Sequence, residues 1–236
     1  MGVGQNIEAE NAGWTFDGSV ADTFVPHIRQ SVPLYEEGHD IVCQLSDFFV
    51  SNNSLVYEIG VSTGELLKKV ALHHKSKPNA RFIGMDPIAP MVAKARQHCA
   101  EVSNIKIVEE DARLYEFEPC DVMLSYYTMQ FVPPRDRQAL FDKIYKALNW
   151  GGAFIMFEKV RAPDARFQDI MTTLYNDFKL RQGFSPEEIL SKTRSLKGVL
   201  EPFSTEGNMG LLRRAGFVDF MPVAKYLSFE GFLAIK

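Results

Sequence analysis

From residue 55 onward, short apolar runs alternate with longer segments of helical periodicity, and this alternation constrains the fold more than any other feature. The sequence predicts strands at 55–59, 81–85, 105–108, 121–127 and 153–157, with helices at 66–73, 89–100 and 135–148 between them. Strands of about five residues that alternate with longer helices are typical of right-handed βαβ units. We therefore expect an α/β fold with a mostly parallel sheet.

The last third of the chain departs from this rhythm. Two successive helices are predicted at 164–182 and 185–200, a third at 206–215, and two strands at 217–226 and 229–235. A terminal hairpin would give the sheet seven strands, one of them antiparallel. We expect a single domain over residues 1–236, with an N-terminal arm and helix (31–50) in residues 1–54 and a helical insertion over residues 160–205.

Composition limits the classes of function. The 236 residues are 46% hydrophobic and carry a formal net charge of -4, which argues against direct nucleic-acid binding. The three cysteines are widely spaced and form no ligand cluster with histidine, so neither a disulfide framework nor a metal site is expected. The first residues lack the pattern of a signal peptide, and no apolar run reaches ~18 residues. These features predict a cytoplasmic protein that does not contact membranes.

The segment EIGVSTG at 58–64 follows the first predicted strand and opens the first helix. Glycines at such a loop allow a ligand to approach the backbone closely, and the helix N-terminus favours negative charge. Ser62 replaces the middle glycine of a dinucleotide-binding fingerprint. The alternative is a tight turn without a ligand.

Two acidic residues follow the next two strands. Asp86 could accept hydrogen bonds from ribose hydroxyls, or it could cap the following helix, which Pro87 would begin. Asp111, followed by Ala112, could accept from an adenine amino group. Because the carboxyl ends of parallel strands meet at one edge, Gly60, Asp86 and Asp111 are expected to face one crevice.

Nine short motifs carry further information, and they are spread over most of the chain, from residue 14 to residue 189. They are WTFD (14–17), SVPLY (31–35), QF (130–131), RQAL (137–140), DKIY (142–145), LNWGG (148–152), EK (158–159), DFK (177–179) and GFSPEEI (183–189). With these motifs the chain resembles the carboxy-S-adenosylmethionine synthase family, as a divergent member within the class I S-adenosylmethionine-dependent methyltransferases. That family uses S-adenosylmethionine and prephenate to make the carboxymethyl donor for 5-oxyacetyluridine in tRNA.

The resemblance implies a Rossmann-like methyltransferase fold that binds S-adenosylmethionine, or S-adenosylhomocysteine as product. Tyr35 is a cofactor contact that only the resemblance supplies. Together with the residues derived above, the predicted cofactor-binding set is Tyr35, Glu58, Gly60, Val61, Ser62, Gly64, Asp86, Pro87, Asp111, Ala112 and Tyr126.

Two positions depart from the family. Thr193 stands where the family carries an arginine that holds the carboxylate of the carboxylated cofactor, and Tyr126 stands where it carries an asparagine. A threonine has no charge and cannot form a bidentate pair with a carboxylate. These departures favour methyl transfer to an unidentified small-molecule acceptor.

In that hypothesis Tyr126 or Tyr127 would orient or deprotonate the acceptor, and Gln130, Lys192 and Arg194 would bind it. One alternative is carboxy-S-adenosylmethionine synthase activity, with Arg194 or another basic residue in the role of the missing arginine. The other is a non-catalytic partner protein that binds S-adenosylmethionine. A homodimer is also expected, formed partly through the helices between residues 164 and 200, as the resemblance to a dimeric family implies.

Overall fold

A single seven-stranded sheet organises the chain. The computed structural model describes Gly2, residues 10–16 and residues 20–236. The strands are β1 (Leu55–Ile59), β2 (Arg81–Asp86), β3 (Ile105–Glu109), β4 (Cys120–Tyr126), β5 (Leu148–Lys159), β6 (Asp219–Tyr226) and β7 (Phe229–Ile235). Their order is β3-β2-β1-β4-β5-β7-β6, and β7 runs antiparallel to both of its neighbours. The predicted sheet, with one antiparallel strand near the C-terminus, is confirmed.

Helices cover both faces of this sheet. They are α1 (Val20–Ser31), α2 (Tyr35–Ser46), α3 (Glu65–His73), α4 (Ala89–Cys99), α5 (Pro134–Ala147), α6 (Ala165–Arg181), α7 (Pro186–Ser195) and α8 (Thr205–Ala215), with a 3-10 turn at Met129–Phe131. The helix predicted at 31–50 is shorter, because Leu34 adopts a left-handed conformation (φ 55) and separates α2 from α1. Helix α1 was not predicted, and it contains Pro26, which ordinarily disfavours a helix interior.

Two other predicted boundaries were wrong. Strand β5 begins at Leu148, directly after α5, rather than at residue 153, so Gly151 and Gly152 lie inside the strand. Gly151 there adopts φ 78, which a residue with a side chain rarely does. Helix α7 ends at Ser195 rather than at residue 200, and Gly198 follows with φ 69.

The core lies in two layers, one on each face of the sheet. Side chains of a strand alternate between faces, so Val56 packs in one cluster with Leu67 while Tyr57 packs in the other with Phe154. All five residues of β1 are buried, as expected for a central parallel strand with helices on both sides. No helix of the described residues is both long and apolar enough to cross a bilayer.

Helices α6 and α7 lie between β5 and α8 in sequence and cover the carboxyl edge of the sheet. Asp164 caps α6 by accepting from the Phe167 N–H, and Ser185 begins α7 with a reciprocal capping box. The Tyr175 hydroxyl of α6 donates to the Ser31 carbonyl at 2.8 Å. These contacts leave an enclosed space between the two helices and the strand ends.

Candidate active site

A cavity of about 910 Å³ opens at the carboxyl ends of β1, β2, β4 and β5. Its floor includes Gly60, Asp86, Tyr127 and Lys159, each at or just after the end of a strand, while α6 and α7 form part of the opposite wall. Ligands of open α/β sheets bind at this edge. The volume is near the top of the usual range for small-molecule sites, ~300–1,000 Å³, so it has room for a nucleoside and a second small molecule.

The glycine loop forms one end of the cavity floor. Gly60 has φ 73, and a side chain there would collide with Thr128. The N–H groups of Gly60 and Val61 donate to the Met85 carbonyl, at 2.8 and 2.9 Å. These amides are therefore engaged within the protein, so the loop offers a ligand close approach to its backbone rather than free N–H groups.

The two predicted carboxylates face this same end. One oxygen of Asp86 accepts from the Ser62 N–H at 3.1 Å and the other from the Ile88 N–H at 3.0 Å, which fixes the group. Arg113 holds Asp111 in place, with its Nη2 donating to a carboxylate oxygen of Asp111 at 2.6 Å. This hydrogen bond lowers the pKa of the Asp111 carboxyl below its usual range. Both line the cavity together with Pro87 and Ala112, so the predicted convergence holds in the structure.

Four predicted cofactor residues do not line the cavity: Tyr35, Glu58, Val61 and Gly64. A Cβ on Gly64 would lie 2.9 Å from the Cys99 Sγ, so this glycine permits α3 to pack against α4. Glu58 is buried, and burial raises its pKa well above the usual value. Tyr35 is also buried, with its ring against those of His39 and Tyr126. The structure thus gives Gly64 a packing role, while the cofactor role of Glu58 stays a prediction.

The two tyrosines predicted to be catalytic both line the cavity, but each is tightly packed. The Tyr126 hydroxyl donates to the Tyr35 carbonyl at 2.7 Å. Tyr127 adopts φ 58 and packs its ring against Phe157 and Phe229. Burial raises the pKa of both phenols far above the ordinary value, which makes deprotonation unfavourable. Neither is arranged as a general base.

The predicted substrate residues lie in different places. Gln130 lines the cavity, and its side-chain oxygen accepts from the Lys159 N–H at 2.9 Å. Lys192 also lines it, with its ammonium over the ring of Trp14. Arg194 is exposed and does not line the cavity, so its role in substrate binding stays a prediction. Thr193 does line it, and its hydroxyl donates to the Ile189 carbonyl.

The N-terminal segment closes part of the cavity. The Trp14 N–H donates to the Ser195 carbonyl at 3.1 Å, and the Ala12 N–H donates to the Arg194 carbonyl at 3.0 Å. Trp14 and Phe16 of the predicted WTFD motif line the cavity, while Asp17 of that motif lies outside the described residues.

Sequence reasoning found only part of the most unusual region of the site, because Lys192 was predicted to bind substrate whereas Lys159 and Lys179 were not. Four lysines line the cavity on the side of the insertion. Lys197 is exposed, and the other three are Lys159 at the end of β5, Lys179 on α6 and Lys192 on α7. We call these three residues the cationic wall. Burial is the main cause that lowers their pKa values, to about 8, about 8 and about 6. Lys159 follows a strand and could have been found by the rule that found Asp86, whereas Lys179 depends on how α6 folds over the sheet.

A second group of polar side chains lies away from this cavity. Asp47, His73 and His74 are close enough together to hold a metal ion, at the C-terminal end of α3. Both ring nitrogens of His74 already have partners, since Ser46 Oγ lies 2.7 Å from Nε2 and Lys77 Nζ 3.2 Å from Nδ1. The nitrogens of His74 are therefore engaged in hydrogen bonds that link neighbouring parts of the fold, and the group is not arranged as a free set of metal ligands.

Comparison with known proteins places this arrangement in a class. Residues 56–152 match the family model described as a methyltransferase domain. An O-methyltransferase family protein from Burkholderia thailandensis superposes with a TM-score of 0.64 at 17% identity, over 92% of this chain and 59% of that one. Human N-acetylserotonin methyltransferase, solved with S-adenosylmethionine, gives 0.55 at 17% identity, over 93% and 62%. The chain spans about three fifths of these two structures and shares their fold, that of the S-adenosylmethionine-dependent methyltransferases.

Two relatives that are similar in sequence carry the name of one enzyme. Carboxy-S-adenosyl-L-methionine synthase of Staphylococcus epidermidis is 39% identical over 94% of this chain and 97% of its own length. The synthase of Campylobacter jejuni is 38% identical over 94% and 93%. The chain belongs to the carboxy-S-adenosyl-L-methionine synthase family, as the motifs had predicted.

Proposed function

We propose that the chain makes carboxy-S-adenosylmethionine from S-adenosylmethionine and prephenate. The observation that carries this proposal is the similarity to curated synthases, which extends over nearly the full length of both chains. It favours the alternative hypothesis over methyl transfer to an unidentified acceptor, which rested on Thr193 and Tyr126. Arg194 lies outside the cavity, which favours another basic residue in the role of the missing arginine.

The residues of the cavity fit S-adenosylmethionine, or S-adenosylhomocysteine, at the end that holds the glycine loop. In the part of the chain that the structure describes, each oxygen of Asp86 accepts one backbone N–H, which leaves acceptor capacity for ribose hydroxyls. The space above Gly60 would be filled by any side chain at that position. Asp111 and Ala112 lie where the resemblance places adenine contacts.

The chemistry divides between cofactor and protein. S-adenosylmethionine supplies a methyl group that its sulfonium activates. The protein's own contribution is positioning, exclusion of water and electrostatic attraction. Acidic side chains line the nucleoside end of the cavity, and the cationic wall lines the other end, so an anionic second substrate would be oriented with its charge away from Asp86 and Asp111.

The test is to incubate the purified protein with S-adenosylmethionine and prephenate and to follow the mass of the cofactor. We expect a product heavier by one carboxyl group, and none from Asp86→Ala, which should also lose most cofactor affinity. Methylated acceptors in a cell extract without carboxylated cofactor would support the methyltransferase alternative. Cofactor binding without any turnover would support the non-catalytic partner protein.

We also propose that the protein is a homodimer, formed through α6. Phe167, Ile170 and Leu174 are exposed by 43%, 45% and 41% and recur at intervals that place them on one face of the helix. Exposed apolar stripes of this kind are typical of contact surfaces. Light scattering at micromolar concentration measures the oligomeric state directly.

A further inference from the structure

The cationic wall is built from three separate elements that meet only in the folded protein. Lys159 ends β5, Lys179 lies near the end of α6, and Lys192 lies on α7. All three side chains line the cavity, and Lys179 is only 7% exposed. Lysine is among the residues that are almost never fully buried unless they are paired, so this concentration requires an explanation.

Acidic partners are missing around these groups. None of the three ammonium nitrogens has a carboxylate at ion-pairing distance anywhere in the part of the chain that the structure describes. The two carboxylates that line the same side of the cavity have other roles. Glu188 accepts from the Ser185 N–H at 2.8 Å in the capping box, and the charge of Glu201 acts on Arg137. The positive charge at this end of the cavity is thus left without an internal counterion.

Tyr175 holds two of the three groups together. The ammonium of Lys159 lies 4.4 Å from the centroid of its ring, and that of Lys179 lies 4.5 Å from the same centroid. The ring is fixed because its hydroxyl donates to the Ser31 carbonyl at 2.8 Å. An aromatic face attracts a cation without consuming its N–H donors, so both ammonium groups keep donors for a ligand.

This arrangement costs stability in the protein without a bound anion. Two cations on one ring repel each other, and burial removes much of their hydration. The lowered pKa of Lys159 has both causes, since burial is the largest contribution and the charges of Lys179 and Arg161 add to it. A group of buried charges that opposes folding is characteristic of a binding site.

We infer that Lys159 and Lys179, held on the ring of Tyr175, form a subsite that binds a carboxylate of the second substrate. Both ammonium groups lie within 4.5 Å of one ring centroid. Both residues also line the cavity, on the side away from the predicted nucleoside end. The identity of the substrate as prephenate rests on the proposed function. The presence of an anion subsite does not.

The experiment measures prephenate binding by calorimetry to the full-length protein saturated with S-adenosylhomocysteine. Lys159→Met and Lys179→Met remove the charge at nearly constant size, and Arg181→Met is the matched control, because Arg181 is an exposed cation on the same helix that does not line the cavity. We expect each lysine variant to bind prephenate at least tenfold more weakly, about 1.4 kcal/mol. The prephenate affinity of Arg181→Met should differ from that of wild type by less than twofold. The affinity for S-adenosylhomocysteine should also change by less than twofold in all three variants.

Two further measurements separate binding from folding. Lys179→Arg keeps the charge and should bind prephenate within a few-fold of wild type. Without ligand, Lys179→Met should melt no lower than wild type, because it removes a buried charge that has no counterion. A purely structural role for Lys179 would instead lower the melting temperature and leave the affinity of the folded fraction unchanged, which would overturn the inference.

The remaining outcomes distinguish the subsite from the proposed function. Equal prephenate binding by wild type and both lysine variants overturns the subsite and leaves the synthase proposal standing. If wild type does not bind prephenate, malonate is titrated into the same proteins as a minimal dicarboxylate. Malonate binding that both lysine variants lose supports the subsite and contradicts the assignment of prephenate. Failure of wild type to bind either anion overturns the subsite.

Discussion

Replacing Arg137 by methionine should lower the free energy of unfolding by about 3–5 kcal/mol, the usual cost of removing one member of a buried charged group. Arg137 is 2% exposed although it lies on α5. Its Nε donates to the Val132 carbonyl at 2.8 Å and its Nη2 donates to the Gln130 carbonyl at 3.1 Å. Its guanidinium also lies 4.3 Å from the centroid of the Phe203 ring. The side chain therefore holds the turn after β4 against the segment that leads into α8.

The magnitude follows from what the substitution leaves behind. Hydrogen bonds from a charged donor are worth ~1.5–3 kcal/mol each. The Val132 carbonyl would lose its bond to Arg137, and the Gln130 carbonyl would keep only its bond from the Glu201 N–H. The carboxyl of Glu158, buried beside the guanidinium, would lose the nearby cation that counteracts the rise in its pKa to about 8. Relief of the desolvation of Arg137 offsets part of this loss, and methionine replaces part of the packing on Phe203.

Urea denaturation of the protein without ligand measures the effect. With a slope of ~1–3 kcal/mol per molar urea, the midpoint should fall by roughly 1 M or more. Arg135→Met is the control, because that side chain is 86% exposed and its loss should change stability by less than ~0.5 kcal/mol. An Arg137→Met variant within about 1 kcal/mol of wild type, at unchanged slope, would refute the argument that these hydrogen bonds anchor the turn.

Three other changes test separate parts of the molecule. Gly60→Ala should weaken S-adenosylhomocysteine binding at least tenfold in calorimetry, because φ 73 is unfavourable for alanine and its Cβ would collide with Thr128; unchanged affinity would contradict the cradle. Leu174→Glu should shift light scattering from dimer to monomer, whereas Leu72→Glu, at a leucine of similar exposure on α3, should not; a dimer that tolerates both excludes α6 as the interface. The pKa of Lys179 is lowered to about 8 from 10.5, so wild type should lose melting temperature as the pH falls from 10.5 through 8, and Lys179→Met should lose less; parallel profiles would show that this lysine does not titrate in the cationic wall.

Much of the fold could be predicted because strand and helix periodicity are local properties. All seven strands were expected near their observed positions. Errors fell where tertiary contacts override local preference. Leu148 joins β5 because it pairs with Cys120 of β4, ahead of an irregularity in the ladder, although the helical pattern continues to that residue. Helix α1 contains Pro26, which disfavours a helix in a prediction from local sequence. Its Val20 packs in a small cluster with Trp14, and this tertiary contact could not be predicted from the local sequence.

The convergence of Gly60, Asp86 and Asp111 on one cavity could be predicted for the same reason. Gly60, Asp86 and Asp111 follow successive strands, so strand order alone brings them to one edge. Distinguishing contact from packing required coordinates, since Gly64 belongs to the same motif as Gly60 yet faces Cys99. The pairing of Lys159 with Lys179 spans two elements whose relative placement is set by helix packing over the sheet edge. Their shared partner Tyr175 gives no signal of this in the sequence.

The departure at Thr193 has a physical consequence if the proposed function holds. An arginine binds a carboxylate through a planar fork that fixes both its position and its orientation, whereas a lysine ammonium acts as a compact point charge. Two ammonium groups fixed on one aromatic ring restore the positive charge and define a position, but they impose less orientation on the carboxylate. Orientation must then come from the walls of the cavity, and Tyr126 and Tyr127, rigidly packed and without free acid–base chemistry, are suited to that role. A carboxylate that moves from substrate to cofactor would then stay close to positive charge, although Thr193 itself carries none.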